Sequence, residues 1–340
     1  MNLGGGAMRI EAFTEGRDPA RPEANEDRFL VLPGRAYAAI DGVTSRLGTR
    51  YDGMLSGQYG AVLVRDALEA RLGGGRPAPG DARALVAELT ATIAAAYERH
   101  GTLERARRDP NHRFATTLAL VVEHPSEIEI LLVGDSGVRV DCARDIRLDK
   151  DLDRVTASLR QAAWRALART CPDEARREVL ARRVTWNGAR QDPAALEGAL
   201  DAAALAAIGA EAVAMSLRAM PHLPRAEVER LVGGGILGAQ GGFQNDPVSP
   251  LGYSCLDGFE VAMGRVHHER LPRAGLSCVE LYTDGYFRPG DGFGVDAWER
   301  AFAEVERDDP HKIGAHAGVK GSIAGMHADD RSYVGVRWTR

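Results

Sequence analysis

The chain has 340 residues, 43 Lys and Arg against 48 Asp and Glu, and a net charge of −5. A chain of this length buries about three quarters of its unfolded surface, so its core needs no staple. The ordinary balance of 44% hydrophobic and 27% charged residues fits one large domain or about two. Mild acidity argues against a dedicated nucleic-acid binder, which would carry a clustered basic excess. The most apolar stretch, 194–220, is interrupted by Glu197, Asp201, Glu211 and Arg218, so no membrane partner is expected. The opening MNLGGGAMRIEAF lacks the basic start and apolar run of a secretory signal, and Met8 is available as an alternative start. Cys142, Cys171, Cys255 and Cys278 are too few for a disulfide framework and too far apart for a zinc site, which points to the reduced cytoplasm.

In chain order, 28–32 and 35–40 read as two short strands joined at Pro33-Gly34. Helical spacing follows, with Leu55, Tyr59, Val62 and Leu63 on one face, then Leu85, Leu89, Ile93 and Tyr97 on another. Gly73 to Gly75 with Pro77 and Pro79 forms the loop between those helices. Branched residues at 116–122 and 128–133 predict a hairpin turning near His124-Pro125. From Asp151 to Val232 strand signals stop, and the segment 151–232 reads as an Ala- and Arg-rich helical insertion in a single domain, 1–340. Strands return at 259–263, 277–283 and 332–338, with a helix at 296–307.

Three apolar runs end alike. Residues 37–40 lead into Asp41-Gly42, 131–134 into Asp135-Ser136-Gly137, and 279–283 into Asp284-Gly285, while Asp329-Asp330 stands just before a final strand. Each Asp-Gly alone is a common hairpin turn. Together, strands of a sheet can bring such acids to one edge, where their repulsion calls for hard divalent ions such as Mg²⁺ or Mn²⁺.

Taken with Asn25-Glu26-Asp27, Thr116-Thr117 and Asp329-Asp330-x-Ser332, this order of motifs resembles the bacterial-type members of the metal-dependent Ser/Thr protein phosphatases of type 2C, the PPM family. The resemblance spans the chain apart from the insertion. It implies an α+β fold, a four-layer α/β/β/α sandwich of two antiparallel sheets flanked by helices. It also implies two Mg²⁺ or Mn²⁺ ions, with a third at Asp135. Asp41 is then the bridging ligand, Gly42 a carbonyl ligand, and Asp284 and Asp329 ligands of the first metal. Asp27, with Glu26 in the outer shell, holds metal-bound water, and Asp330 stands where the family often has Asn. Two ions would lower the pKa of a bridging water and neutralise the phosphoryl oxygens during in-line attack by the resulting hydroxide. The implied partner is a protein phosphorylated by a Ser/Thr kinase; the oligomeric state is open.

The pattern also departs from the family. Pro22 stands where the family has its phosphate-binding Arg, so Arg21, one residue back, competes with Arg17, Arg46 and Arg50 for that role. Val43-Thr44-Ser45 follows Asp41-Gly42 and offers no imidazole acid. His327, two residues before Asp329, is a candidate proton donor, whereas His267, His268, His311 and His316 read as solvated or capping. These departures keep open a silent phosphatase-like module that binds a phosphorylated partner, or an enzyme for a small phosphorylated metabolite. Gly233, Gly235 and Gly238 have dinucleotide-fingerprint spacing with Asp257 at a suitable distance. They follow a helical stretch and open no helix, so a flexible loop is expected instead. The nine Arg and three acids between Arg154 and Arg190 read as solvated helix faces, or alternatively as a basic lip that attracts an acidic partner.

Overall fold

The computed structural model describes residues 8–74, 81–323 and 325–339. The first seven residues, where no signal is expected, and the loop over Gly75, Pro77 and Pro79 lie outside them. The chain divides into two compact units, one of 1–149, 254–304 and 329–340 and another of 150–253 and 305–328.

The first unit opens with β1 (Met8–Glu15), β2 (Arg28–Leu32) and β3 (Ala36–Gly42), then a two-residue pair, β4 (Arg50–Tyr51) and β5 (Met54–Leu55). Helices α1 (Ser56–Gly73), α2 (Ala82–Arg99) and the short α3 (Leu103–Arg108) follow, and β6 (Thr116–Glu123), β7 (Glu127–Val133), β8 (Gly137–Val140) and β9 (Arg144–Ile146) come next. The rest of the unit holds β10 (His267–Pro272), β11 (Cys278–Tyr282), the first turns of α8 (Val295–Asp308) and β12 (Arg331–Trp338).

Two five-stranded sheets result, in the orders β1-β12-β11-β8-β9 and β10-β7-β6-β3-β2, with every pairing antiparallel. The two-residue side-chain period of a strand explains why both faces are apolar. In β3, Tyr37 and Ala39 join Ala119 and Val121 of β6 and Val279 and Leu281 of β11 in one core between the sheets. The alternate residues Ala38, Ile40, Leu118 and Leu120 pack with Leu68, Leu89 and Ile93 of α1 and α2. Beyond the other sheet, Tyr282 and Tyr333 pack on Trp298 and Phe302 of α8. This unit is therefore the expected four-layer α/β/β/α sandwich.

Buried among those aromatics, Glu280 accepts from Arg139 Nε, Trp298 Nε1 and Tyr333 Oη, each at 2.8 Å. A fully buried charge needs that many partners.

Two local expectations are corrected. The buried face of α1 is Ala61, Val64, Leu68 and Leu72, with Val62 and Leu63 only half-buried; Tyr59 alone of the expected face is buried. No strand forms at 259–263; the strand after the helical segment is β10, displaced to 267–272 because it pairs with β7 from His267↔Leu132 to Pro272↔Glu127. Cys142 and Cys278, distant in sequence, come within 3.6 Å (Sγ to Sγ) where β8 and β11 pair, and all four cysteines are free thiols.

The second unit contains α4 (Asp151–Leu167), α5 (Glu174–Asn187), α6 (Ala202–Ala219) and α7 (Arg225–Gly238). Asp173 and Asp201 cap α5 and α6 by accepting from Arg176 N and Ala204 N at 2.9 and 2.7 Å. The Gly233-to-Gly238 run is not a loop but the end of α7, interrupted only at Gly235 with φ 62° and ψ −161°. The cause is a close backbone crossing: Ala189 N and Arg190 N donate to Val232 O and Gly233 O at 2.9 and 3.1 Å, and a Cβ on Gly235 would stand 2.4 Å from Gly188 N. These glycines make room for another chain segment rather than for a pyrophosphate.

Much of the arginine excess in this unit is matched by acids from elsewhere in it. Arg154 pairs with Asp151, Arg165 with Glu211, and Arg176 and Arg183 with Glu197. Arg160 is fully buried against Glu178 and donates to Lys312 O at 2.9 Å. By length and composition α6 is apolar enough to cross a membrane, with a mean hydropathy of 1.4 and 28% of it buried, whereas the sequence reading finds no such window.

Candidate metal centre

Strand register explains how the acids meet. Arg28 pairs with Ile40, so Asp27, just before β2, lies at the same sheet end as Asp41, the penultimate residue of β3. Asp41 in turn pairs with Thr117, and Leu118 with Val133, which carries Asp135 to that end two residues past β7. In the other sheet Tyr282 pairs with Tyr333, so Asp284, just past β11, comes level with Asp329 and Asp330, just before β12. Because Tyr37 and Ala39 point between the sheets, the alternation sends Asp41 the same way.

The outcome is a carboxylate cluster. Ligand oxygens of Asp41, Asp135 and Asp284 all lie within 4.8 Å of one another. Burial, then the charges of Asp284, Asp27, Asp135 and Asp329, push the Asp41 carboxyl well above the usual aspartate range. Its side chain retains some exposed surface, so it is reachable by an ion although surrounded by protein. Asp27 is buried, and burial, Asp330, Asp284 and Asp329 raise it likewise, against a 2.7 Å hydrogen bond from Thr283 Oγ1 that favours its ionised form.

The supporting hydrogen bonds come from residues next to the acids. Thr116 Oγ1 donates to Asp41 O at 2.5 Å, Thr117 Oγ1 lies 3.4 Å from Asp41 Oδ2, and Thr117 and Ser136 share a hydrogen bond of 2.7 Å. Ser332 N donates to Thr283 Oγ1 at 2.8 Å. Asp330 accepts from Arg17 N and Glu26 N at 2.6 and 2.8 Å, so its two oxygens tie β12 to the chain entering β2. Asp329 accepts from Asp330 N at 3.2 Å.

Gly42 lies where a side chain cannot fit, since a Cβ would stand 2.5 Å from Gly57 O and 2.6 Å from Glu26 O. Glu26 itself is buried, and its Oε1 lies 2.8 Å from the position of a Cβ on Gly57.

The remaining candidates have other neighbours. Arg21 pairs with Asp18 at 2.6 Å on the surface, Arg46 donates to Asn111 Oδ1 at 3.3 Å, and Arg50 donates to Gly53 O at 2.7 Å. His327 belongs to the second unit, where its Nδ1 is 3.6 Å from Glu306 Oε2. Burial alone would raise Glu306, but hydrogen bonds from His327, Lys312 and Ser322 outweigh it and hold the carboxyl down at about 2.

Sequence reasoning misses Arg147. This guanidinium is ion-paired with Asp149 at 3.1 Å. Burial would lower its pKa, but the charges of Asp135 and Asp284, ahead of Tyr282 and Asp149, outweigh that and raise it. The charge of this cation is therefore felt by two of the three clustered acids. It follows β9 outside any short motif, so only the β8–β9 pairing reveals it.

The donor set is oxygen throughout, and its like charges are held together by folding, so it suits hard divalent ions rather than zinc. No protein-family model and no curated protein matches the chain. Among solved structures, it is similar to the Mycobacterium tuberculosis serine/threonine phosphatase PstP/Ppp, at 17% identity over 98% of this chain and 99% of that one, with a TM-score of 0.45. It is also similar to the serine/threonine phosphatase Stp1 from Staphylococcus aureus, at 12% identity over 100% and 98% of the chains, with a TM-score of 0.46. A third is the catalytic domain of PstP in complex with two manganese ions, at 14% identity over 98% and 99%, with a TM-score of 0.45.

Proposed function

We propose that the chain is a metal-dependent phosphomonoesterase of the type 2C class that removes phosphate from phosphoserine or phosphothreonine in proteins. The observation that carries this reading is the convergence of Asp41, Asp135 and Asp284 within 4.8 Å, at the shared end of two sheets and in the motif order of that family. Asp41, Asp135 and Asp284 would hold Mg²⁺ or Mn²⁺, with Asp329 and the Gly42 carbonyl as further oxygen donors. Bound there, two such ions supply a nucleophile at neutral pH and neutralise phosphoryl charge.

The chain's own residues do the positioning. Thr283 fixes the Asp27 carboxyl by a hydrogen bond, Asp330 fixes the backbone of Arg17 and Glu26, and Thr116 fixes the Asp41 carbonyl. Arg147 adds positive charge to the field around Asp135 and Asp284, which suits an anionic substrate. The free thiols are consistent with the reduced cytoplasm as the site of action.

The pairing of Arg21 with Asp18 favours a second reading, a silent module that binds a phosphorylated partner without turnover. Hydrolysis of p-nitrophenyl phosphate with Mn²⁺, with and without EDTA, in wild type and Asp284→Ala separates the two. Activity lost on chelation and in the variant supports the enzyme, and absence of activity under every metal condition refutes it. A phosphopeptide panel run beside small phosphorylated metabolites then tests the substrate class.

A further inference from the structure

Within the helical unit, α6 and α7 enclose a cleft of about 560 Å³, a volume in the range of sites for small organic ligands. One wall is a single face of α6, from Ala202 through Leu205, Gly209 and Val213, with Ala206 and Ala210 exposed on its rim. The spacing of 202 to 213 is about 16 Å along a helix axis. The opposite wall is Val232 and Gly233 of α7, and the 189–193 connector closes the third side. Small aliphatic residues dominate this lining, and no aromatic ring is among it.

Three charged groups line the cleft: Arg190, Arg225 and Glu229. Arg225 and Glu229 face each other at 3.4 Å. The Arg190 guanidinium has no hydrogen bond or ion pair among the described residues. It lies over Gly233, where a Cβ would stand 2.8 Å from Nε, and it also lines an adjoining cleft of about 550 Å³. Beside it, Gln191 Nε2 is taken by Gly188 O at 2.9 Å, while Gln191 Oε1 is buried with no donor. A buried acceptor left unmatched is costly and calls for a donor.

We infer that this cleft binds an acyl amphiphile, its aliphatic chain along α6, its carboxylate on Arg190 and a neighbouring hydroxyl donating to Gln191 Oε1. The aliphatic chain covers apolar surface of a helix that is only 28% buried in the folded protein, the carboxylate matches a cation without a partner among the described residues, and the hydroxyl satisfies the orphan acceptor. A chain of about ten carbons is short enough to lie along the 16 Å wall. The site is independent of the acid cluster, and its lining residues all belong to the helical unit.

The test is calorimetric titration of the full chain with 3-hydroxydecanoate below its micellar concentration, with decyltrimethylammonium as the charge-reversed control. Saturable one-to-one binding is expected for the carboxylate and not for the ammonium, weakening about fourfold for each methylene removed. Arg190→Glu is expected to reduce affinity at least tenfold. Ala206→Trp, at an exposed position that leaves the helix core intact, fills the cleft and abolishes binding. Absence of saturable binding overturns the inference, as does equal binding of the two amphiphiles. Binding undiminished in Ala206→Trp with an unchanged circular dichroism spectrum also overturns it, as does self-association that this variant disrupts in a chain that takes up no 3-hydroxydecanoate.

Discussion

Replacing Asp41 by Asn is expected to stabilise the metal-free protein and to remove its response to metal. Two unit charges 4.8 Å apart, the outer separation of the clustered oxygens, repel by about 3.5 kcal/mol at an effective dielectric near 20. Asp41 has two such neighbours, Asp135 and Asp284. Partial exposure and the proton that its raised pKa retains reduce this, leaving an expected gain of about 1–3 kcal/mol. For a chain of 340 residues, that is a rise in Tm of about 1.5–4 °C in EDTA. The wild type gains about 4.1 kcal/mol from an ion at one thousand times its Kd, whereas the variant, without its central ligand, gains little. The order of Tm values should therefore invert between EDTA and Mn²⁺ in scanning calorimetry.

The same groups set a pH dependence. Asp27 and Asp41 are raised in the folded state, so above the ordinary aspartate pKa of about 3.9 the folded chain holds protons that the unfolded chain has released. Stability of the metal-free protein is then fully present below that pH and falls as pH rises through the raised values. Asp41→Asn should flatten this decline. A variant less stable than wild type in EDTA, with an unchanged Mn²⁺ response, would refute the account of Asp41 as a repelled ligand.

Two further outcomes follow from the charges around this frame. Glu280→Gln leaves the buried Arg139 without its counter-charge at 2.6 Å, so urea unfolding should show a loss of about 3 kcal/mol, while an unchanged midpoint would mean that the carbonyls of Gly290 and Gly292 suffice. Arg147→Met removes a cation whose charge is felt by Asp135 and Asp284 and should tighten Mn²⁺ binding about fivefold, on the order of 1 kcal/mol; unchanged affinity by calorimetry would show that Asp149 already neutralises it.

What could be read from the sequence depended on whether the relevant physics was local. An apolar run that stops at Asp-Gly is visible in five or six residues, so the sheet-end acids and both flanking helices were legible. So was the meeting of the acids, once their motif order was recognised. Phase on a helix is less legible, because α1 carries apolar residues on more than one side and only its packing on the sheet selects Ala61, Val64 and Leu68. The same holds for the strand at 267–272, whose half-exposed residues alternate weakly and whose position is set by pairing with β7.

Long-range charge pairing was the least legible. A local count made 154–190 basic, yet Asp151, Glu197 and Glu211 lie outside that window and face its arginines. Arg147 was invisible for the converse reason, since the acids that feel its charge are 12 and 137 positions away. The Gly233-to-Gly238 run joins these cases. A glycine pattern records only that something approaches closely, and here it is the backbone at Gly188. Composition and motif thus identify which groups are available for chemistry, while the partner that each group meets is decided by strand register and helix crossing.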